Sequence, residues 1–216
     1  GSAGITWSFG VLLCANAYWL ATRIGGPNCG YPAAGIVATA PLFLEQSAVP
    51  GIDVPYTATV MGALCALAVW RQEKSAGWLL LSGVLAGSGC GIRHTAYLVD
   101  ALLLLGVVLV AERNRWRSCG MFAAIMCASA APWLIRTALM TGNPVYPFFS
   151  SMVGAGSTPD VDVAAIGAHS SVQGRGIVQL LAFPWSMTMN PARYGGWSTS
   201  PGALWLVLGV LGLIAG

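Results

Sequence analysis

Long runs of apolar residues, separated by short polar stretches, fill most of this chain. The runs are rich in Leu, Ala, Val and Gly, extend over roughly 16–20 residues, and lack the strict alternation of barrel strands. Only 8% of the residues are charged, whereas a soluble domain carries about 25%. Such a chain cannot cover a water-facing surface. We therefore predict an integral membrane protein of the all-α class, a polytopic transmembrane helix bundle.

The apolar runs predict about seven spans in a single transmembrane domain, residues 1–216. A Pro in the second run predicts an interruption at Pro41, and a Pro in the sixth predicts a kink at Pro132. A polar segment, residues 150–200, is predicted as one long outer loop between spans six and seven. The predicted spans are residues 3–22, 31–44, 54–70, 76–91, 96–111, 119–139 and 201–216.

Basic residues favour one orientation of the bundle. They concentrate in the connections after the first, third and fifth predicted spans, which indicates that these connections are cytoplasmic. These residues are Arg23, Arg71, Lys74, Arg113, Arg115 and Arg117. The opposite, non-cytoplasmic face then receives Asp53, Arg93, Arg136 and the long loop. The ten Lys and Arg residues are nevertheless spread along the chain and form no single basic patch, so they give no indication of a nucleic-acid partner.

The six cysteines form no metal-ligand or redox spacing and are interpreted as small buried apolar residues. In the long loop, Asp160, Asp162 and His169 are conceivable ligands of a metal, but the two aspartates beside Pro159 fit turn residues better, and His169 has no spacing that indicates a site. Arg175 and Arg193 lie in the same loop without a spacing that indicates a site. We predict no metal and no cofactor.

Three residues on the outer face carry the predicted chemistry. Asp53 precedes a helix that begins with Val54-Pro55, so it is interpreted either as a helix cap or as a site carboxylate. Arg93 follows a Gly-rich span, and Arg136 lies near the outer end of span six. Each arginine either anchors to lipid headgroups or binds a phosphate.

A polar group is also predicted at the start of span five. Asp100 lies inside that span, where an acidic side chain is costly unless it is paired or functional. If one helix ran from Arg93, then Arg93, Tyr97 and Asp100 would share a face. We predict a polar network of His94, Tyr97 and Asp100, with interfacial solvation as the alternative for His94.

Three stretches then resemble a known family in the same order. They are APLFLEQSAVPGIDVPYTA (residues 40–58), GVLAGSGCGIRHTAY (residues 83–97) and PWLIRTALMTGNPVYPFF (residues 132–149). The last resembles the family pattern P-W-x-x-R-N-x-x-x-T-G-N-P-x-Y-P-F, with Thr137 in place of the commoner Asn. The chain resembles the GT-C membrane glycosyltransferases, in particular aminoarabinose transferases, protein O-mannosyltransferases and the Rgt-like bacterial enzymes.

The resemblance implies that a sugar moves from a polyprenyl-phosphate carrier to a lipid, glycan or protein acceptor on the outer face of a bacterial plasma membrane. It implies that Asp53 is the acidic residue of the second outer loop. It also implies that Arg93 occupies the position beside the carrier phosphate and that Arg136 is the Arg of the third stretch. We expect a hexosyl or pentosyl transferase.

The resemblance also implies that the chain begins after the family's first outer loop, which bears the catalytic base. The chain starts with Gly rather than Met, and its last apolar run is short for a span. We therefore expect a fragment that is inactive alone. The alternative function is a multi-pass transporter or lipid flippase, for which Asp100 is the main support.

Overall fold

The computed structural model describes residues 2–111, 115–146, 148 and 177–190. These residues are almost entirely helical, as the apolar runs predict, and a short 3₁₀ turn, Pro27–Cys29, joins the first two helices. The α-helices are α1 (Ser2–Gly25), α2 (Gly30–Thr39), α3 (Pro41–Ala48), α4 (Asp53–Glu73), α5 (Ala76–Gly89), α6 (Ala96–Val110), α7 (Arg115–Thr141) and α8 (Ile177–Met189).

The second predicted span is broken into α2 and α3 at a proline. Ala40 is extended, with φ −63° and ψ 124°, because a residue before Pro is disfavoured in the helical region. Pro41 then opens α3, where its missing N–H leaves no hydrogen bond unmade. By contrast, Pro132 lies inside α7, and that helix continues past it to Thr141. The predicted interruption at Pro41 is therefore confirmed, whereas α7 runs through Pro132 without a break and the predicted kink there stays a prediction.

Interhelical contacts fix the direction of each helix in the bundle. The Asn16 amide donates to the Ala58 carbonyl (3.3 Å), and further along both helices Arg23 donates to Gln72 (2.6 Å), so α1 and α4 are parallel. Gly62 faces Leu85 while Gly89 faces Tyr56, so α4 and α5 are antiparallel. This alternation places Arg23 and Gln72 at one end of the bundle and Asp53 at the other.

Small residues allow α5 and α7 to pack closely. Gly83 lies against Phe122 and Ile125, and Gly87 lies against Met126 and Ser129. The two contacts advance together, so these helices are parallel. Gly83 and Gly87 are four residues apart, a spacing of small residues that allows two helix backbones to approach closely.

The buried core lies between α4, α5, α6 and α7. Leu79, Val107 and Phe122 are fully buried there, and Trp70 closes the core near the Arg23 end. The Ser82 hydroxyl, also fully buried, donates to the Ala63 carbonyl (2.9 Å) and so keeps its polar group satisfied between α4 and α5.

Three of the described helices are long and apolar enough to cross a membrane: Gly4–Gly25, Asp53–Glu73 and Arg115–Thr141. The apolar helices α5 and α6 are shorter, and at 1.5 Å per residue each extends about 21–23 Å of a hydrocarbon core that is about 30 Å thick. The predicted seventh span lies outside the described residues. Within the segment predicted as a long loop, the structure contains the helix α8, which includes Pro184.

Candidate functional site

Asp53 and Arg93, 40 positions apart in sequence, form an ion pair at one end of the bundle. Both side chains remain partly exposed, Asp53 at 35% and Arg93 at 43%, so the pair lies at a surface that a ligand can reach. Asp53 is the first residue of α4, and its side chain makes no capping hydrogen bond. Its carboxylate binds Arg93, and Ile52 is the N-cap residue, so Asp53 does not cap α4 by a hydrogen bond, although its charge in the first turn still favours the helix dipole.

The turn between α5 and α6 holds Arg93 in place. The Arg93 and Ile92 backbone N–H groups both donate to the Gly89 carbonyl, at 3.0 and 2.9 Å. Within the same turn the buried Cys90 thiol donates to the Asp100 carboxylate (3.1 Å). The Asp100 carboxylate on α6 thereby stabilises the turn that contains Arg93.

Arg136 lies at the same end of the bundle but makes a different contact. Its guanidinium lies over the Trp133 ring, 5.1 Å from the ring centroid. Trp133 in turn packs near Gly91, two residues before Arg93. Arg136 is exposed and forms no ion pair with a described carboxylate, so its positive charge is available to a ligand at this surface.

This arrangement can bind an anion and a hydroxyl group side by side. An Arg can bind a phosphate through two parallel N–H groups. A phosphate that takes Arg93 releases the Asp53 carboxylate, which can then accept a hydrogen bond from a hydroxyl. The two functions are coupled, because both groups are engaged with each other until a ligand separates them.

A family model described as dolichyl-phosphate-mannose-protein mannosyltransferase matches residues 6–136, more than half of the chain. The chain belongs to this family. The expected membership of the GT-C glycosyltransferases is thereby confirmed. No curated protein and no solved structure gives a significant match. The family and the apolar helices together identify an integral membrane protein and a glycosyltransferase of the mannosyltransferase type.

The match to the mannosyltransferase family covers all three predicted site residues, Asp53, Arg93 and Arg136. The structure pairs the first two and places the third on the neighbouring helix. Their chemical roles stay predictions. The long-loop residues Asp160, Asp162, His169, Arg175 and Arg193 lie outside the described residues. Among the residues that the structure describes, no group of His, Cys, Asp and Glu could hold a metal ion.

In this mannosyltransferase-family chain, the predicted polar network of His94, Tyr97 and Asp100 does not have the geometry that helical spacing predicts. Helix α6 begins at Ala96, so Arg93 lies before it and not on its face. Asp100 binds Cys90, Tyr97 makes an edge contact with Phe148, and His94 is exposed. Asp100 therefore supports the turn at the site and gives the transporter alternative no further support.

Sequence reasoning missed Tyr56, which lies one helical turn after Asp53. Its hydroxyl is buried and lies near the Thr95 side chain. The ring packs against Gly89, at the base of the turn that holds Arg93. The signal was present in the sequence, because residues three apart on a helix share a face.

The turn after α7, which carries the family pattern, is stabilised by side-chain hydrogen bonds within residues 141–148. The Asn143 side-chain Nδ2 donates to the Phe148 carbonyl (2.7 Å), and the Asn143 side-chain Oδ1 accepts from the Val145 N–H (3.0 Å). Gly142 adopts φ 73°, a conformation that glycine tolerates without strain. Asn143 is 1% exposed, so these bonds hold the turn in a buried position.

Proposed function

We propose that this protein transfers a sugar from a polyprenyl-phosphate carrier to an acceptor on the outer face of a bacterial plasma membrane. The observation that supports the proposal is the Asp53–Arg93 ion pair at the end of the bundle opposite Arg23. That pair offers a cation for the carrier phosphate and a carboxylate for a hydroxyl group. Family membership supports mannose as the transferred sugar.

In this mechanism an acceptor oxygen attacks the anomeric carbon while the bond from that carbon to the carrier phosphate breaks. Negative charge then grows on the phosphate oxygen that leaves. Arg93 neutralises that charge, and a preorganised cation of this kind stabilises the transition state more than the ground state. Arg136 supplies a second positive charge at the same surface.

Asp53 has the complementary role of orienting a hydroxyl of the sugar or the acceptor. In the unliganded protein its carboxylate is bound to Arg93. The donor phosphate displaces it, so Asp53 becomes available only when the donor is in place. The proton released by the acceptor passes to a base that the family resemblance assigns to the first outer loop, not to Asp53.

The test measures transfer of labelled mannose from dolichyl-phosphate-mannose by the full-length protein in membranes. Arg93→Ala removes a charge-assisted hydrogen bond of about 1.5–3 kcal/mol, which predicts a loss of about 10- to 150-fold in kcat/KM. Asp53→Asn is expected to lower kcat. Arg71→Ala, an exposed arginine at the opposite end, is the matched control and should retain transfer.

Unfolding of the same variants separates chemistry from folding. A partly exposed ion pair contributes about 0–1 kcal/mol to stability, so Asp53→Asn should leave the protein folded. Full transfer by Arg93→Ala would refute the proposed role of the pair. A loss of transfer that only follows a large loss of stability would also count against it.

A further inference from the structure

Tyr56, on α4, contacts both ends of the turn that contains Arg93. Its ring packs on Gly89, the last residue of α5, where an added Cβ would lie 3.4 Å from Tyr56 Cε2 and 3.7 Å from Tyr56 Cδ2. Its buried hydroxyl lies near the side chain of Thr95, the N-cap residue of α6. One side chain on α4 therefore touches the turn where it begins and where it ends.

The contact between Tyr56 and Gly89 belongs to the antiparallel register of α4 and α5. Deeper in the bundle Gly62 faces Leu85, and nearer the outer end Tyr56 meets Gly89. The next turn of α4 brings Asp53 to its ion-pair partner. Asp53 lies three residues before Tyr56, about 4.5 Å along the helix axis. The seat of the ring on Gly89 therefore determines which groups Asp53 can reach.

Gly89 also holds the backbone of the turn. Its carbonyl accepts hydrogen bonds from the N–H groups of Ile92 (2.9 Å) and Arg93 (3.0 Å). The Arg93 carbonyl in turn accepts from the N–H of Ala96, the first residue of α6 (3.1 Å). The Arg93 backbone is thus bonded to both flanking helices, so a shift of Gly89 away from the Tyr56 ring would move Arg93 as well.

A small apolar cluster joins the outer ends of these helices to α7. Its buried members are Cys90, Ala96 and Ala130, and the side chains packed against them are Tyr56, Tyr97 and Leu134. Tyr56 is the member from α4, so its ring links the helix that bears Asp53 to the helices that flank the turn. Removing the ring would leave the turn without this support from α4.

We propose that Tyr56 is a positioning residue for the transfer reaction, which sets the separation of the Asp53 carboxylate and the Arg93 guanidinium by holding the turn against α4. The inference rests on the proposed function and adds the residue that fixes its geometry. Because its hydroxyl is buried, Tyr56 acts through Arg93 and not on the substrate. A misplacement of about 1 Å in a site can cost about 100-fold in rate.

Hydrogen exchange tests the hold on the turn without any need for transfer activity. In the full-length protein in phosphatidylcholine nanodiscs, Tyr56→Ala should speed exchange in residues 89–95 about tenfold, because burial of part of an aromatic ring stabilises a contact by about that factor. Tyr56→Phe keeps the ring on Gly89 and should keep most of the protection. Tyr18→Ala is the matched control. It removes a ring that packs 4.9 Å from Tyr31 between α1 and α2, and should leave the turn unchanged.

A double-mutant cycle tests whether Tyr56 acts through Arg93. In the mannose-transfer assay Tyr56→Ala should lower kcat about 10- to 100-fold and change KM less, because Arg93 is assigned to charge that develops in the transition state. Tyr56→Ala combined with Arg93→Ala should be no slower than Arg93→Ala alone, since a group that is absent cannot be misplaced. Tyr56→Phe should retain most of the transfer.

Each outcome supports or overturns the positioning role. Unchanged exchange in Tyr56→Ala, additive losses in the cycle, or equal losses in Tyr56→Phe and Tyr56→Ala would overturn it. If thermal unfolding shows that Tyr56→Ala does not fold, Tyr56→Leu, which keeps apolar volume without a flat ring, replaces it in both measurements. Arg93→Ala alone tests the proposed function. If it retains transfer while Tyr56→Ala still speeds exchange, Tyr56 holds the turn and the assigned role of Arg93 fails.

Discussion

Gly87 lies where α5 and α7 approach closely, and replacing it with Ala tests the packing that supports the site. A Cβ atom at Gly87 would overlap the Met126 carbonyl oxygen and lie 2.9 Å from both the Met126 carbonyl carbon and the Ser129 Cβ. None of these atoms is the end of a flexible side chain. The two helices must therefore move apart to admit a single methyl group.

The expected cost follows from two opposing effects. Overpacking of a tight interface costs about 1–3 kcal/mol, and more when backbone must move. Replacing Gly by Ala inside a helix contributes about 1 kcal/mol in the opposite direction. Since the overlap at Gly87 involves backbone, the first effect should exceed the second, and Gly87→Ala should lower the free energy of unfolding by up to about 2 kcal/mol.

The assay is denaturant unfolding of the purified protein in micelles, with Gly120→Ala on α7 as the matched control. A Cβ at Gly120 meets no atom within 4 Å, so this variant should gain up to about 1 kcal/mol of stability. The two substitutions are chemically identical and should have effects of opposite sign. Equal effects would refute the close approach of α5 and α7.

Two further substitutions test contacts around the site. Asp100→Leu removes the acceptor of the Cys90 thiol, so it should lower the free energy of unfolding by about 1–3 kcal/mol and also lower transfer. Cys90→Ser keeps a hydrogen-bond donor and should preserve both stability and transfer. Thermal unfolding and the mannose-transfer assay measure these effects, and an equal loss in the two variants would contradict the role of the bond. Asn143→Ala leaves the Phe148 carbonyl and the Val145 N–H without their partner and should cost about 2 kcal/mol or more. Asn143→Asp keeps the acceptor for the Val145 N–H but buries a carboxylate against the Phe148 carbonyl, so it should lose at least as much stability in the same unfolding measurement.

The helices could be predicted from sequence because apolar runs and prolines act locally. Pro41 breaks the second run because the residue before a proline, here Ala40, is disfavoured in the helical region. The ends of α5 and α6 fall within two residues of the predicted ones. The helix α8 was missed because it has only 13 residues, includes Pro184, and lies within a segment that is polar as a whole.

The candidate site was predictable only in part. Alternation of spans placed Asp53 and Arg93 on one face, but their pairing depends on how α4 packs against the α5–α6 turn, which no local pattern encodes. The partner of Asp100 was missed for a related reason. Cys90 is unremarkable in sequence, and its contact with Asp100 exists only because α6 turns back against the end of α5.

The Asn143 turn has a consequence for how such sequences are sorted. Its hydrogen bonds are made within residues 141–148 and involve neither Asp53 nor Arg93. A relative without transfer activity would still need this turn for its chain to leave the end of α7 in the same direction. A collection assembled on the G-N-P-x-Y-P pattern therefore gathers a shared helix exit, and enzymes within it must be recognised by the pair of Asp53, at the start of α4, and Arg93, in the turn after α5.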